Sequence, residues 1–233
     1  MLDPMGEIAG TRSDWRAGKL LGVAELALVA GVFVADRYRL VPLSKTPFLL
    51  ALGWVSLRIR GLRWRDVGLA RFRSWPATLA LGAAAGTAME LLDLFVTKPL
   101  EARFLGRPPD LSDFLPLLGN VKLSLLALLG VWVLAALGEE LVWRGYLLNR
   151  VAGLLGGRRA SWAVAALVVS AVFGCAHANQ GFSGIVQEGF SGLLLTALYL
   201  ACGRNLAVPI VAHGVTDTID VLLIFTGSYP GLR

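Results

Sequence analysis

The stretch LAALGEELVWRGYLL, residues 134–148, puts Glu139, Glu140 and Arg144 inside a run that is otherwise mostly apolar. A helix that is greasy on every face lies in a bilayer or in a large buried core, and the rest of the chain decides which. Of the 233 residues, 56% are hydrophobic and only 16% are charged, with a mean hydropathy of +0.66, far from the balance of a soluble domain. The chain therefore reads as an integral membrane protein, and the three ionisable side chains become the feature to explain.

Apolar runs near the length of a bilayer crossing give up to eight helical segments: residues 20–35, 47–57, 76–96, 123–148, 162–178, 185–202, 206–215 and 219–227. The second, seventh and eighth are short: either they are tilted or re-entrant, or the last two form one broken span. The expected architecture is an all-α polytopic bundle of about eight spans, a single integral-membrane domain over residues 1–233 with no separate soluble domain. The first segment runs into Asp36-Arg37-Tyr38-Arg39 rather than a small-residue cleavage site, so it reads as a retained helix and not a signal peptide.

Alternate loops carry 13 Lys and Arg on one side and 7 on the other, which predicts a cytoplasmic amino terminus. The loop at 97–120, with Pro108-Pro109-Asp110, falls on the outer side and is polar enough to be solvated. The net charge of +6 comes from clusters between apolar segments rather than a basic face, which argues against nucleic acid. The block RIRGLRWRDVGLARFRSW, residues 58–75, reads as an inner loop or surface helix touching anionic headgroups. A local repeat, GFSGIVQE then GFSGLLLT at residues 181–196, supplies small residues that allow another helix to approach closely. Cys175 and Cys202 are too few for a disulfide framework. The alanine-, leucine- and arginine-rich composition suggests a bacterial inner membrane.

A charge at bilayer depth costs at least about 2.5–3.5 kcal/mol, so residues kept there face a partner or a wet cavity. Arg144 follows Glu140 by four positions, which brings the two heads together on a helix. Glu139 is turned about 100° away and has no local cation. From this stretch alone, packing by hydrogen bonds to neighbouring helices explains both glutamates as well as function does.

The two histidines of the chain shift that balance. His177 closes FGCAH, four residues after Phe173, and His213 opens HGVTD, four residues before Asp217. A desolvated glutamate is a general base for water, a neutral histidine orients that water or shares its proton, and a second histidine with a partner stabilises an oxyanion. That is a hydrolytic set without a protein nucleophile: no G-x-S-x-G surrounds Ser170, Ser183 or Ser191, and Cys175 or Cys202 would need a neighbouring base in space. Two histidines and a carboxylate can also bind zinc, with Cys175 close to His177, but no H-E-x-x-H is present. Zinc stays the alternative to a site with no cofactor.

Glu139-Glu140-x-x-x-Arg144, Phe173-x-x-x-His177 and His213-x-x-x-Asp217 resemble, in order and approximate spacing, the three motifs of the CPBP intramembrane proteases. This family includes the CAAX prenyl endopeptidases and the bacterial Abi proteins. The stretch GLLLTALYLACGRNLAVPIVAH, leading into the last motif, is similar too, and the likeness covers residues 123–220. It implies a helical bundle with an active site in a membrane-embedded cavity. By the same resemblance Glu139 and His177 activate water, His213 and Asp217 form the oxyanion site, and Glu140, Arg144 and Phe173 support them. The family often has asparagine where this chain has Asp217, and an ionised aspartate cannot donate to an oxyanion. Asp217 must then be protonated or orient His213. The implied substrate is a membrane-associated peptide or protein. Two other classes compete: a non-catalytic chaperone or immunity protein on the same scaffold, and a proton-coupled transporter, for which no paired halves with broken helices are visible.

Overall fold

The structure is a computed structural model that describes residues 15–42, 44–106 and 109–232, with side chains in the first helix described from Gly18 on. Every regular element among the described residues is helical. Arg12, Arg107 and Pro108, used in the loop reading above, lie outside them.

The first half comprises α1 (Trp15–Arg37), α2 (Thr46–Ile59), α3 (Trp75–Leu92) and α4 (Lys98–Phe104), with a π turn, Asp93–Thr97, joining α3 to α4. Local chemistry sets the starts. Pro47 and Pro76 occupy first-turn positions where no amide donor is needed, and the Ser74 hydroxyl accepts from the Ala77 amide at 3.3 Å. Because the chain stays helical through Phe104, the solvated stretch expected from residue 97 begins later. Lys98 is held by Asp93, which carries the helix past the charged residues.

The second half begins with α5 (Val121–Gly130), started by the Asn120 side chain accepting from the Leu123 amide at 3.1 Å. The helix widens to π geometry over Val131–Glu139 and Leu141–Leu148 and returns to α form in α6 (Asn149–Leu154). A π stretch of this kind is rare and concentrates at functional sites. The helices α7 (Arg159–Cys175), α8 (Gly181–Ala201) and α9 (Ala207–Thr226) complete the bundle. Five stretches are long and apolar enough to cross a membrane, Gly18–Arg37, Trp75–Phe104, Val121–Leu154, Ala178–Ala201 and Ala207–Thr226; Thr46–Ile59 and Arg159–Cys175 are shorter apolar helices. The count of about eight is not confirmed. The two short segments expected at 206–215 and 219–227 are one unbroken helix, because Thr216, Asp217, Thr218 and Asp220 lower the local hydropathy without breaking the backbone.

The outward faces carry Leu125, Leu129, Leu167 and Phe95 well exposed, the surface expected against lipid. Inside, α3 packs along α9 and α7 along α8. Gly86 meets Ala212, where a Cβ would have no room, and Gly192 faces Phe173, with 2.9 Å left for a Cβ. Gly174 similarly meets Ile185 and Gly189, so the small residues of the local repeat do let α7 and α8 approach closely. The largest buried cluster centres on Trp143, Tyr146, Leu148, Phe173, Tyr199 and Leu206, packed around the π-widened helix.

Candidate active site

Within the π stretch, Glu140 and Arg144 are completely buried. Arg144 Nη1 donates to Glu140 Oε1 at 2.6 Å, the pair expected from their spacing. Arg144 then reaches α8: Nη2 donates to the Gly192 carbonyl at 2.8 Å and Nε to Thr196 Oγ1 at 3.3 Å. Its guanidinium lies 5.1 Å over the Phe173 ring of α7. One arginine thus ties three helices together, and its donors leave little reason for a partner in solvent.

The second carboxylate contact of Glu140 comes from α9. His213 Nδ1 is 2.9 Å from the same Oε1, and His213 Nε2 faces Asp217 Oδ2 at 3.5 Å. Bonded this way, Nδ1 carries its proton toward Glu140 and the ring is fixed with Nε2 turned to Asp217. Glu140 is therefore not only the counter-charge of Arg144; it also orients the histidine of the third motif, a contact that spacing along the chain does not reveal.

His177 lies just beyond the carboxyl end of α7, at the start of a 3-10 turn, Ala178–Gln180, rather than within a helix that continues to residue 178. Its Nδ1 sits 2.9 Å from the Phe173 carbonyl, and its ring packs 4.8 Å from the Phe173 ring. Since a carbonyl only accepts, Nδ1 is the donor, and the neutral ring presents Nε2 as an open acceptor. Phe173 is sandwiched further by Trp143 at 5.1 Å, edge to face. A continuous line of contacts runs from His177 through Phe173, Arg144 and Glu140 to His213 and Asp217, so residues of all three motifs meet at one place.

Glu139 is half-buried and next to this line, close enough to act electrostatically on Arg144, His213 and Asp217. No hydrogen bond or ion pair engages its carboxylate among the described residues, and none joins it to His177. Among the described residues, too, no three His, Cys, Asp or Glu side chains gather closely enough to hold a metal ion.

A second set of polar groups was not picked out from the sequence. Glu90, Asp93, Glu188 and Asp220 line a narrow opening together with Asp217. Lys98 pairs with Asp93 and lies 4.8 Å over the Tyr229 ring. Tyr229 stands beyond the last span, where burial first and the Asp220 carboxylate second hold its hydroxyl well above the usual range, a neutral donor at any working pH. The signal for these residues was the one used for residues 134–148: Glu90 and Asp93 interrupt the third apolar run, and Asp220 follows Asp217 by three positions.

Residues 121–219 match the model of the Rce1-like family, described as type II CAAX prenyl endopeptidases. That segment contains all three motifs, and the resemblance drawn from them is borne out over it. Endopeptidase is the activity in that family's description, and residues 121–219 are the part of the chain similar to it. No curated protein and no solved structure matches the chain.

Proposed function

We propose that the protein hydrolyses a peptide bond of a membrane-associated peptide or protein with a water activated by Glu139 and His177. The observation that carries this is the contact line from His177 to Asp217, which assembles side chains from three separate helices beside an unpaired glutamate.

In the first step Glu139 takes a proton from water, and the hydroxide attacks the scissile carbonyl carbon. His177, its Nδ1 committed to the Phe173 carbonyl, positions that water through Nε2. The carbonyl oxygen gains the electron pair and is met by Nε2–H of His213 in its imidazolium form, whose Nδ1–H stays on Glu140, with Asp217 in its protonated form as a second donor. Collapse of the tetrahedral intermediate breaks the C–N bond, and the proton held by Glu139 passes to the leaving amine. Glu140 keeps His213 in register, and Arg144 neutralises Glu140 without entering the reaction. Every step uses protein groups and water; activity that survives chelation and metal analysis of the purified protein is its check.

Cleavage of a synthetic membrane peptide by purified protein tests the reading. Glu139→Gln and His177→Asn should each lower kcat by about 10²–10⁴-fold. Asn retains a donor for the Phe173 carbonyl but lacks the Nε2 acceptor, so the His177 variant should fold and bind normally. Unchanged cleavage in both variants would sink the proposal. One observation favours a non-catalytic scaffold instead: among the described residues no hydrogen bond or ion pair joins Glu139 to His177. A cellular phenotype left intact by Glu139→Gln would support that second reading.

The sidedness follows from the loop charges. The amino terminus, the 58–75 block and the α8–α9 turn lie in the cytoplasm of a bacterial inner membrane, and His177 lies near the opposite face.

A further inference from the structure

The π stretch that carries Glu139, Glu140 and Arg144 ends where α6 begins, at Asn149. A return from π to α geometry leaves a gap in the backbone ladder: the amides step from acceptors five residues back to acceptors four back, and one carbonyl is passed over. Asn149 sits at that step. Its own amide donates to the Tyr146 carbonyl, only three residues back, rather than to Arg144 or Gly145, the acceptors that π and α geometry would give it. The side chain supplies what the backbone does not. Asn149 Nδ2 donates to the Arg144 carbonyl at 2.8 Å and to the Gly145 carbonyl at 3.1 Å.

A third contact steadies this side chain from outside the helix. Asn149 Nδ2 also donates to the Tyr199 hydroxyl of α8 at 3.0 Å, so its two hydrogens serve three acceptors. Tyr199 is fully buried, and its hydroxyl donates in turn to the Val67 carbonyl at 3.1 Å. Val67 ends a 3-10 turn, Trp64–Val67, in the segment between α2 and α3. The Trp64 ring of the same turn packs beside Gly145, 3.7 Å from where a Cβ would stand. The return to α geometry is therefore held both from α8 and from the connecting segment.

The register of this step decides which way the two glutamates face. Closing it to plain α geometry would turn the preceding stretch by one residue, about 100°, carrying Glu140 to the direction Glu139 now holds and setting Leu141 opposite His213. The Glu140–His213 contact at 2.9 Å would be lost. We infer that Asn149 is a positioning residue for the hydrolysis: its side-chain amide, steadied by Tyr199, holds the π register that keeps Glu140 on His213 and leaves Glu139 free. The effect on rate rests on the peptidase reading above, whereas the register does not.

The two histidines of the chain, His177 and His213, make the register visible. In full-length protein carrying isotope-labelled histidine in lipid bilayers, solid-state NMR reads the ring nitrogens of both, assigned with His177→Asn protein. Asn149→Leu fills a similar space without a donor. Its His213 signals should move as Glu140 leaves, and its His177 signals should stay, because that ring is bonded to the carbonyl of Phe173. Asn149→Gln keeps the donor and should hold the His213 signals close to wild type. With a synthetic membrane peptide, kcat of Asn149→Leu should fall roughly tenfold or more while KM stays within about twofold, and Asn149→Gln should recover most of the loss. Tyr199→Phe removes only the hydroxyl; it should shift His213 in the same direction to a smaller extent, and it carries the test if the leucine variant does not fold. Unchanged His213 signals in these two variants overturn the proposal. Movement of both histidines together overturns it as well, since that reports general loosening rather than a change of register. Wild-type protein that cleaves no peptide defeats the peptidase reading, and the His213 signals then decide the register by themselves.

Discussion

Glu139 and Glu140 are consecutive residues with opposite circumstances. Glu140 is sealed from solvent and accepts from both Arg144 and His213, whereas Glu139 is half-buried and engages no donor among the described residues. Substitution should separate the two. Arg144→Met leaves the Glu140 charge buried with one donor lost, and removing one partner of a buried pair costs about 3–5 kcal/mol. Its unfolding midpoint in mild detergent should therefore drop sharply, and cleavage should fall with it. Glu139→Gln removes no partner, so the same unfolding measurement should stay within about 0.5 kcal/mol of wild type while cleavage is lost. A stable Arg144→Met protein would remove the reason for pairing the two.

At the scale of elements, the site depends on how closely α8 approaches α7 behind Phe173. That ring carries the Arg144 guanidinium on one side and packs with His177 on another, and Gly192 leaves 2.9 Å for a Cβ against it. Gly192→Ala should push the ring and cost about 1–3 kcal/mol through overpacking, with kcat falling because His177 moves with Phe173. Gly130→Ala is the contrast: nothing lies within 4 Å of its added Cβ, so it should stabilise by about 0.4–1 kcal/mol through the unfolded chain alone. Equal effects at the two glycines in paired denaturation curves would refute the argument. The same contacts explain what was readable beforehand. Long apolar runs have no option in lipid but helix, and pairs four residues apart, Glu140 with Arg144 or His213 with Asp217, follow from helical periodicity. His213 on Glu140 and Gln187 on Asp93 join positions 73 and 94 residues apart, and no spacing rule reaches that far. The polar run from Thr216 to Asp220 imitated a break because it lines a cavity instead of facing lipid, which is also why the last two segments merged.

For the whole molecule, contacts between connecting segments report whether the expected alternation of sides is coherent. The Leu206 amide donates to the Gly68 carbonyl at 2.9 Å and Asn205 Nδ2 to the Ala70 carbonyl at 2.8 Å, joining two segments assigned to the cytoplasm. Arg204 lies 5.0 Å over Trp162 at the same end. At the other end the Asp110 amide donates to the Gln180 carbonyl and the Gly119 amide to the Phe225 carbonyl, both at 2.9 Å. Each of these pairs stays on one side, so a single labelling experiment fixes the orientation of all of them. Cys175 ends α7 and is exposed, and Cys202 follows α8 at the opposite end and is partly buried. With the amino terminus in the cytoplasm, a membrane-impermeant maleimide added outside intact spheroplasts should label Cys175, and Cys202 should react only in inverted vesicles. Burial raises the Cys202 thiol above its usual range, so less of the reactive thiolate is present at neutral pH. Its labelling in inverted vesicles should accordingly be slow at pH 7 and speed up as the pH rises toward 9. Rapid outside labelling of Cys202, with Cys175 protected, would invert the topology and move His177 to the cytoplasmic face.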